Sequence, residues 1–219
     1  SWHEALEAVR RSMIECNRSF ANTRLDQDEA DAFVNERIDG IRDCLCDLVR
    51  LRSYGHFKEG DYLPPTRELL SAVGEAHSAY NSVLILRQHG INARLVDLTG
   101  WKDTDVTGLD DAVRRAFEGI DVAIEMPIVT GYVKYNEGIM TRFDRGYSEI
   151  TFSKVAVITG AAEGIIHKEY HLSTGDPVLI GAENVKVIGH TNFDIADQLS
   201  DLDMEAIHSK ASKEMELCN

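Results

Sequence analysis

Apolar residues recur every three or four positions through the first third of the chain. One run contains Trp2, Leu6, Val9, Met13, Cys16 and Phe20. A second run follows a polar break at residues 22–31 and contains Val34, Ile38, Ile41, Leu45 and Leu48. This spacing places each run along one face of a helix. We therefore predict two helices that pack through these faces and form a helical subdomain over residues 1–62.

From residue 63 to residue 219, helical patterns alternate with short apolar runs. Helical patterns cover residues 67–90, 109–119, 150–161, 192–202 and 205–215. Runs typical of strands cover residues 92–98, 126–133 and 163–169. Strands without a polar face, separated by helices, favour a mainly parallel sheet that helices cover on both sides. The prediction for this region is an α/β core.

The charge balance narrows the range of partners. The 219 residues include 23 Lys and Arg against 37 Asp and Glu, which gives a net charge of −14. Such a surface repels nucleic acid and anionic membranes. No apolar run approaches the roughly 18 residues that span a bilayer. The four cysteines have no metal-binding or disulfide spacing, so we predict a cytoplasmic protein with reduced thiols.

The stretch FDRGYSEIT, residues 143–151, concentrates polar groups just before a predicted helix. Ser148 occupies the expected N-cap position, and Arg145 offers a forked donor beside the helix N-terminus. A helix N-terminus and an arginine together suit a carboxylate or a phosphate. The alternative is an ordinary capped helix whose arginine forms a surface ion pair.

Three ordered strings carry a family resemblance: VGEAHSAYNSVLILRQHGINA at residues 73–93, MPIVTGYVKYNEGIMTRFDRGYSEIT at 126–151 and HKEYHLSTGDP at 167–177. Together they resemble the aspartate kinases, especially the branch associated with ectoine biosynthesis. The resemblance implies the amino-acid-kinase fold, a three-layer α/β/α sandwich. It also implies transfer of the ATP γ-phosphoryl group to the side-chain carboxylate of L-aspartate, with Mg²⁺, and a homo-oligomer in the full-length protein.

The resemblance assigns a substrate site residue by residue. Glu75 matches the glutamate that binds the substrate ammonium, and Arg145 matches the arginine that holds the α-carboxylate. Gly146, Ser148 and Glu149 match the loop beside that arginine. Taken alone, Glu75 would be read as a solvated glutamate on a helix.

The resemblance also places nucleotide contacts, at His167, Lys168, Ser173, Asp176, Pro177, Glu205 and Ala206. Several residues in and beside this set depart from the usual family pattern. His167 and Lys168 stand where Thr-Asp is common, and Ser173 stands where tyrosine is usual. Val178 stands in place of an arginine and Glu205 in place of a lysine.

Two family features are not found in these residues. One is the Gly-Gly-Thr-Ser strand, whose lysine and amides receive the phosphates, and the other is the C-terminal pair of ACT domains. The sequence therefore predicts an internal segment of a kinase domain, incomplete at both ends. We expect little turnover from such a segment alone.

Three other interpretations remain open. His167, Glu169 and His171 alternate along a predicted strand and could share one face, as zinc ligands would. The chain could instead be a non-catalytic fragment that binds an amino acid or supports assembly. It could also belong to a kinase for another acidic amino acid, such as glutamate or acetylglutamate.

Overall fold

The computed structural model describes residues 1–105, 108–135, 138–142, 146–167, 172–201 and 207–216. It divides into two compact units, Ser1–Arg142 and Phe143–Asn219. Within these described ranges, no helix has both the length and the apolar character needed to cross a bilayer.

Three long helices open the first unit: α1 (Trp2–Ser19), α2 (Gln27–Arg52) and α3 (Glu59–Gln88). The side chains of Ser1 and Asp26 cap α1 and α2 by accepting backbone N–H groups of the first turn, which stabilises each helix start. The two predicted helices are thus confirmed. Helix α3 runs without a break through residues 62 and 63, the predicted subdomain boundary. The division into a helical subdomain and an α/β core stays a prediction.

The packed face of α1 differs from the predicted one. Leu6 and Met13 are buried against Val34, Ile38 and Ile41 of α2, as expected. Val9 and Cys16 were predicted to pack as well, but they are exposed. The contact face is rotated because Arg10 and Asn17 reach α2 through hydrogen bonds of 2.7 Å to Asp39 and Asp31.

A buried polar cluster joins α1 to α3. The Asn17 Oδ1 atom accepts hydrogen bonds from His77 Nε2 at 2.6 Å and from Asn81 Nδ2 at 2.8 Å. All three side chains are almost inaccessible to solvent. Burial lowers the pKa of His77 from its ordinary value, because a charged imidazolium loses its hydration inside the protein.

Two short strands follow, β1 (Ala93–Val96) and β2 (Met126–Val129). They pair in parallel, with Ala93 opposite Met126 and Val96 opposite Val129. Helix α4 (Leu109–Phe117) lies between them in the chain, and α3 packs against both strands. The prediction of parallel strands separated by a helix is confirmed for this pair.

The third predicted strand, at residues 163–169, is wrong over its described part. Residues 163–167 form no strand, and residues 168–169 lie outside the described ranges. Ile165 is 63% exposed, and nothing in the described chain pairs with this run. An apolar run without a hydrogen-bonding neighbour does not become a strand.

The remaining helices are short. The first unit ends with α5 (Ile139–Arg142), and the second unit contains α6 (Tyr147–Thr159), α7 (Pro177–Ile180), α8 (Phe193–Asp201) and α9 (Ser209–Glu216). Helix α9 packs against α6 and α8. An ion pair of 2.6 Å between Lys154 and Glu214 supports the contact of α6 with α9. The helix predicted over residues 150–161 is confirmed, and so is the one predicted over residues 192–202 as far as residue 201, where the described range ends.

Candidate functional site

The carboxyl ends of β1 and β2 lie side by side because the two strands are parallel. The segment that follows β1 covers residues 97–105, and the segment that follows β2 covers residues 130–142 with two positions outside the described ranges. Open parallel sheets bind ligands at this edge. We therefore take the two segments and the adjoining face of α3 as the candidate site of the first unit.

Glu75, the predicted ammonium ligand, lies on α3 beside the segment that follows β2. Its half-buried carboxylate accepts the backbone N–H of Tyr132 at 2.5 Å. Tyr132 is only 3% exposed, and the contact fixes the position of the carboxylate. Glu75 thus brings a negative charge to the carboxyl end of β2, where it could bind a small cation or an ammonium group.

Glu68 contacts the same segment two helical turns earlier. One of its oxygens accepts the phenolic O–H of Tyr132, and the other accepts the Met140 N–H at 3.2 Å. Gly138 adopts a φ of +79°, and a Cβ there would lie 2.5 Å from the carboxylate of Glu68. Only glycine fits both the backbone conformation and this close approach.

The segment after β1 is held by an ion pair. Arg37 of α2 contacts Asp97 at 2.5 Å, and its guanidinium lies 4.7 Å from the ring centre of Phe33 and 4.6 Å from that of Trp101. Asp97 also accepts the backbone N–H of Thr99 at 2.9 Å. These contacts fix the chain direction immediately after the strand.

Lys134 joins the two segments. Its ammonium group donates to the backbone carbonyls of Asp103 and Asp105. Its aliphatic stem crosses Gly100, which has a φ of +73° and where a Cβ would overlap the lysine side chain. The segments after β1 and β2 are therefore linked within the first unit.

Two cavities open at this edge. The larger has a volume of about 520 Å³ and is bordered by Glu68, Tyr132 and Lys134, among others. The smaller, of about 260 Å³, is bordered by Arg37, Asp97 and Lys134. The larger volume lies in the range of small-molecule sites.

The predicted substrate loop lies in the second unit, and its helix starts earlier than expected. The N-cap of α6 is Gly146, with a φ of +76°, so the prediction that Ser148 caps the helix is wrong. A left-handed N-cap places Ser148 in the first turn, where it is exposed. Arg145 lies outside the described residues.

His208 connects this loop to the start of α9. Its backbone N–H donates to the Glu149 carboxylate at 2.5 Å, and a Cβ on Gly146 would lie 2.4 Å from its ring. The Lys210 N–H donates to His208 Nδ1 at 3.2 Å. Gly146 and Glu149 are thus positioned by a residue that follows the predicted nucleotide contacts in sequence.

The described residues of the predicted nucleotide site stabilise their own loop. The Ser173 hydroxyl donates to the Gly175 carbonyl at 2.8 Å. Asp176 caps α7 by accepting the Val178 N–H at 2.7 Å, and Pro177 is the first residue of that helix. His167 is exposed. Lys168, Glu205 and Ala206 lie outside the described residues.

Of the three residues in the zinc interpretation, Glu169 and His171 lie outside the described residues. Across the described part of the chain, no group of three or more His, Cys, Asp or Glu side chains could hold a metal ion.

Sequence reasoning missed Glu68, Tyr132 and the Arg37–Asp97 pair. One signal was available, because Tyr132 and Asp97 each follow an apolar strand, where parallel sheets place functional groups. No sequence signal identified their partners, which lie 64 and 60 positions away in the chain.

Comparison with known proteins identifies the family. The family model described as amino acid kinase matches residues 5–219. The chain is 49% identical over 213 residues to "Aspartate kinase Ask_Ect" of Stutzerimonas stutzeri, covering 97% of this chain and 45% of that protein. It is 25% identical over 190 residues to "Aspartokinase" of Schizosaccharomyces pombe, covering 81% of this chain and 34% of that protein.

The chain therefore spans less than half the length of these two relatives. No solved structure matches the chain. The resemblance to aspartate kinases of the ectoine branch is confirmed by the first of the relatives. With a match that extends over nearly all of its residues, the chain belongs to the amino acid kinase family.

Proposed function

We propose that this protein is an ATP-dependent aspartate kinase that converts L-aspartate and ATP into 4-phosphoaspartate and ADP. The observation that carries the proposal is the 49% identity to an aspartate kinase over 97% of the chain. The position of Glu75 beside the carboxyl end of β2 supports it, because that edge is where parallel sheets bind ligands.

In this proposal, Glu75 binds the ammonium group of aspartate and Arg145 binds its α-carboxylate. Gly146, Ser148 and Glu149 shape the loop that presents Arg145. The hydrogen bonds of Glu75 to Tyr132 and of Glu149 to His208 support these roles, since a substrate ligand must itself be held in place.

The chemistry needs positioning more than proton transfer. The side-chain carboxylate of aspartate is already an anion at neutral pH. One of its oxygens attacks the γ-phosphorus, a P–O bond to that oxygen forms, and the bond to the departing ADP oxygen breaks. The protein must align the two anions and offset their repulsion.

The nucleotide site proposed here comprises His167, Lys168, Ser173, Asp176, Pro177, Glu205 and Ala206. Among its described members, no side chain is a fixed cation, and the hydroxyl of Ser173 and the carboxylate of Asp176 are already engaged within the loop. The described residues therefore do not by themselves fit the phosphates. Mg²⁺ enters the proposal with ATP, because kinases usually bind the ion through the phosphates.

The finer architecture is also part of the proposal. The small parallel sheet and the helices around it would belong to a three-layer α/β/α sandwich, with a helical subdomain at residues 1–62 and an α/β core at residues 63–219. We further propose a cytoplasmic homo-oligomer.

A hydroxamate assay tests the proposal. The purified protein is incubated with aspartate, MgATP and hydroxylamine, which traps an acyl phosphate as a hydroxamate that is measured as its coloured ferric complex. We expect product with aspartate and much less with glutamate or acetylglutamate. A clear preference for glutamate would assign the chain to another amino acid kinase. Assaying residues 1–219 beside the natural full-length protein tests whether this segment alone turns over slowly.

A further inference from the structure

We propose that Glu68 is a positioning residue of the aspartate site, which it serves by holding Tyr132 and the segment around it against α3. The inference rests on the proposed function and deepens it, because neither the sequence pattern nor the family resemblance assigned Glu68 a role. In this inference, Glu68 acts on Glu75 through Tyr132 and not as a substrate ligand.

The first support is that two carboxylates of one helix accept hydrogen bonds from the same residue. Glu75 accepts the backbone N–H of Tyr132, and Glu68 accepts its phenolic O–H. The two glutamates are seven positions apart, about two helical turns, so they lie on the same face of α3. Main chain and side chain of Tyr132 are therefore fixed to the same rigid surface.

The second support is that Glu68 also reaches the far end of the segment. Its other oxygen accepts the Met140 N–H at the start of α5. Gly138 approaches the same carboxylate so closely that any side chain at this position would collide with it. One carboxylate thus contacts the segment at two places, shortly after β2 and at the start of α5.

The third support is the setting. Glu68 and Tyr132 both border the cavity of about 520 Å³ at the carboxyl end of the strands. If the segment around Tyr132 moved away from Glu68, the Tyr132 backbone N–H would shift relative to Glu75. The Glu75 carboxylate would then lose a hydrogen bond that fixes its position. Loss of Glu68 should accordingly weaken aspartate binding.

The experiment compares four variants of the full protein. Glu68→Ala removes both contacts, and Glu68→Gln keeps an acceptor for the Met140 N–H. Tyr132→Phe removes the hydroxyl alone. Tyr80→Phe is its matched control, because the Tyr80 hydroxyl also donates to a glutamate, Glu29, away from both cavities. Each variant is measured for aspartate KM, ATP KM and kcat, and for hydrogen exchange of the Tyr132 and Met140 amides.

We expect Glu68→Ala to raise the aspartate KM by about tenfold or more, the effect of losing a hydrogen bond to a charged group. The ATP KM should change little, the Tyr132 and Met140 amides should exchange faster, and Glu68→Gln should recover part of both effects. Tyr132→Phe should change the aspartate KM and the amide exchange in the same direction as Glu68→Ala, whereas Tyr80→Phe should resemble the wild type in both.

Three results would overturn the inference. Unchanged amide exchange in Glu68→Ala would show that the carboxylate does not hold the segment. Faster exchange with an unchanged aspartate KM would reduce Glu68 to a purely structural role, as would equal losses in all kinetic constants. A wild-type protein that does not phosphorylate aspartate would refute the proposed function instead, and amide exchange would still decide whether Glu68 holds the segment.

Discussion

Arg37 and Asp97, sixty positions apart in the chain, form an ion pair of 2.5 Å at the carboxyl end of β1. Only 8% of the arginine side chain and 18% of the aspartate side chain are exposed. The guanidinium also lies against the rings of Phe33 and Trp101. The pair therefore links α2 to the segment after β1, which is part of the candidate site.

Replacing Arg37 should destabilise the fold strongly. In Arg37→Met, the part-buried Asp97 loses its ion-pair partner, and breaking a buried pair in this way costs up to about 3–5 kcal/mol. Urea denaturation measures the free energy of unfolding. Arg50→Met is the matched control, because its pair with Asp47 is 80% and 69% exposed and should contribute at most about 1 kcal/mol.

A double variant tests the reason for this effect. Arg37→Met combined with Asp97→Asn removes the unpaired charge and should lose less stability than Arg37→Met alone. Equal losses in the single and double variants would show that packing between Phe33 and Trp101, and not charge, determines the effect.

Neutralising Glu75 should weaken aspartate binding. In Glu75→Gln the amide oxygen can still accept the Tyr132 N–H, so the local structure is kept while the charge is lost. A charge-assisted hydrogen bond is worth roughly 1.5–3 kcal/mol, which corresponds to about a tenfold or larger rise in aspartate KM. Steady-state kinetics provide the measurement. Glu59→Gln, an exposed change on the same helix, should leave KM unaltered.

Replacing Arg145 should also weaken aspartate binding. Without the guanidinium, the α-carboxylate of aspartate loses a forked donor, and we expect Arg145→Ala to cost roughly 1.5–3 kcal/mol of binding free energy. Calorimetric titration with aspartate measures it, with the exposed Arg67→Ala as control. If Arg145→Ala binds aspartate as tightly as the wild type does, the assignment is wrong.

Helical periodicity and strand–helix alternation were enough to predict α1, α2, the parallel pair β1–β2 and the helix between them. These patterns failed where tertiary contacts determine which face of a helix packs or whether a strand forms. Arg10 and Asn17 rotate the contact face of α1 through polar bonds to α2, and hydrophobic spacing carries no information about such bonds. The apolar run at residues 163–167 has the composition of a strand but no described partner.

The candidate site was predictable only in part, again because contacts with residues distant in sequence determine its arrangement. Family motifs pointed to Glu75, but the residues that hold it in place come from distant positions. Glu68 looks like an ordinary helix glutamate until its contacts with Tyr132 and Met140 are seen. The N-cap of α6 was misplaced because Gly146 takes a left-handed φ, whereas serine is the stronger general signal.

His77 makes stability depend on pH. Because burial lowers its folded-state pKa below the unfolded value of 6.5, the unfolded chain binds the proton first as the pH falls. The contribution of uncharged His77 to the free energy of unfolding is therefore fully present above pH 6.5. It is lost as the pH falls from there through the folded-state pKa. Urea denaturation from pH 8 to about pH 5 should show a smaller decrease in His77→Gln than in the wild type.

The exposed His56 provides the control for this measurement. His56→Gln should keep the pH dependence of the wild type. If His77→Gln and His56→Gln have the same pH profile, another group determines the decrease.

Adding a methyl group at Gly146 should destabilise the start of α6. Gly146→Ala both strains a φ of +76° and forces a contact with the His208 ring, and backbone strain of this kind alone costs about 1–3 kcal/mol. Thermal unfolding measures the loss. Gly146→Ala combined with His208→Ala should recover the part due to the ring. No recovery would mean that backbone strain accounts for the whole effect.

The parallel register of β1 with β2 also has a consequence for the order of folding. The partners Ala93 and Met126 are 33 positions apart, so the strands can pair only after a long loop has closed, with α4 inside it. Helices form within about a microsecond. Strands distant in sequence pair more slowly, because closing the loop between them costs chain entropy. We therefore expect α1–α3 to form early and the edge that carries the candidate site to assemble last.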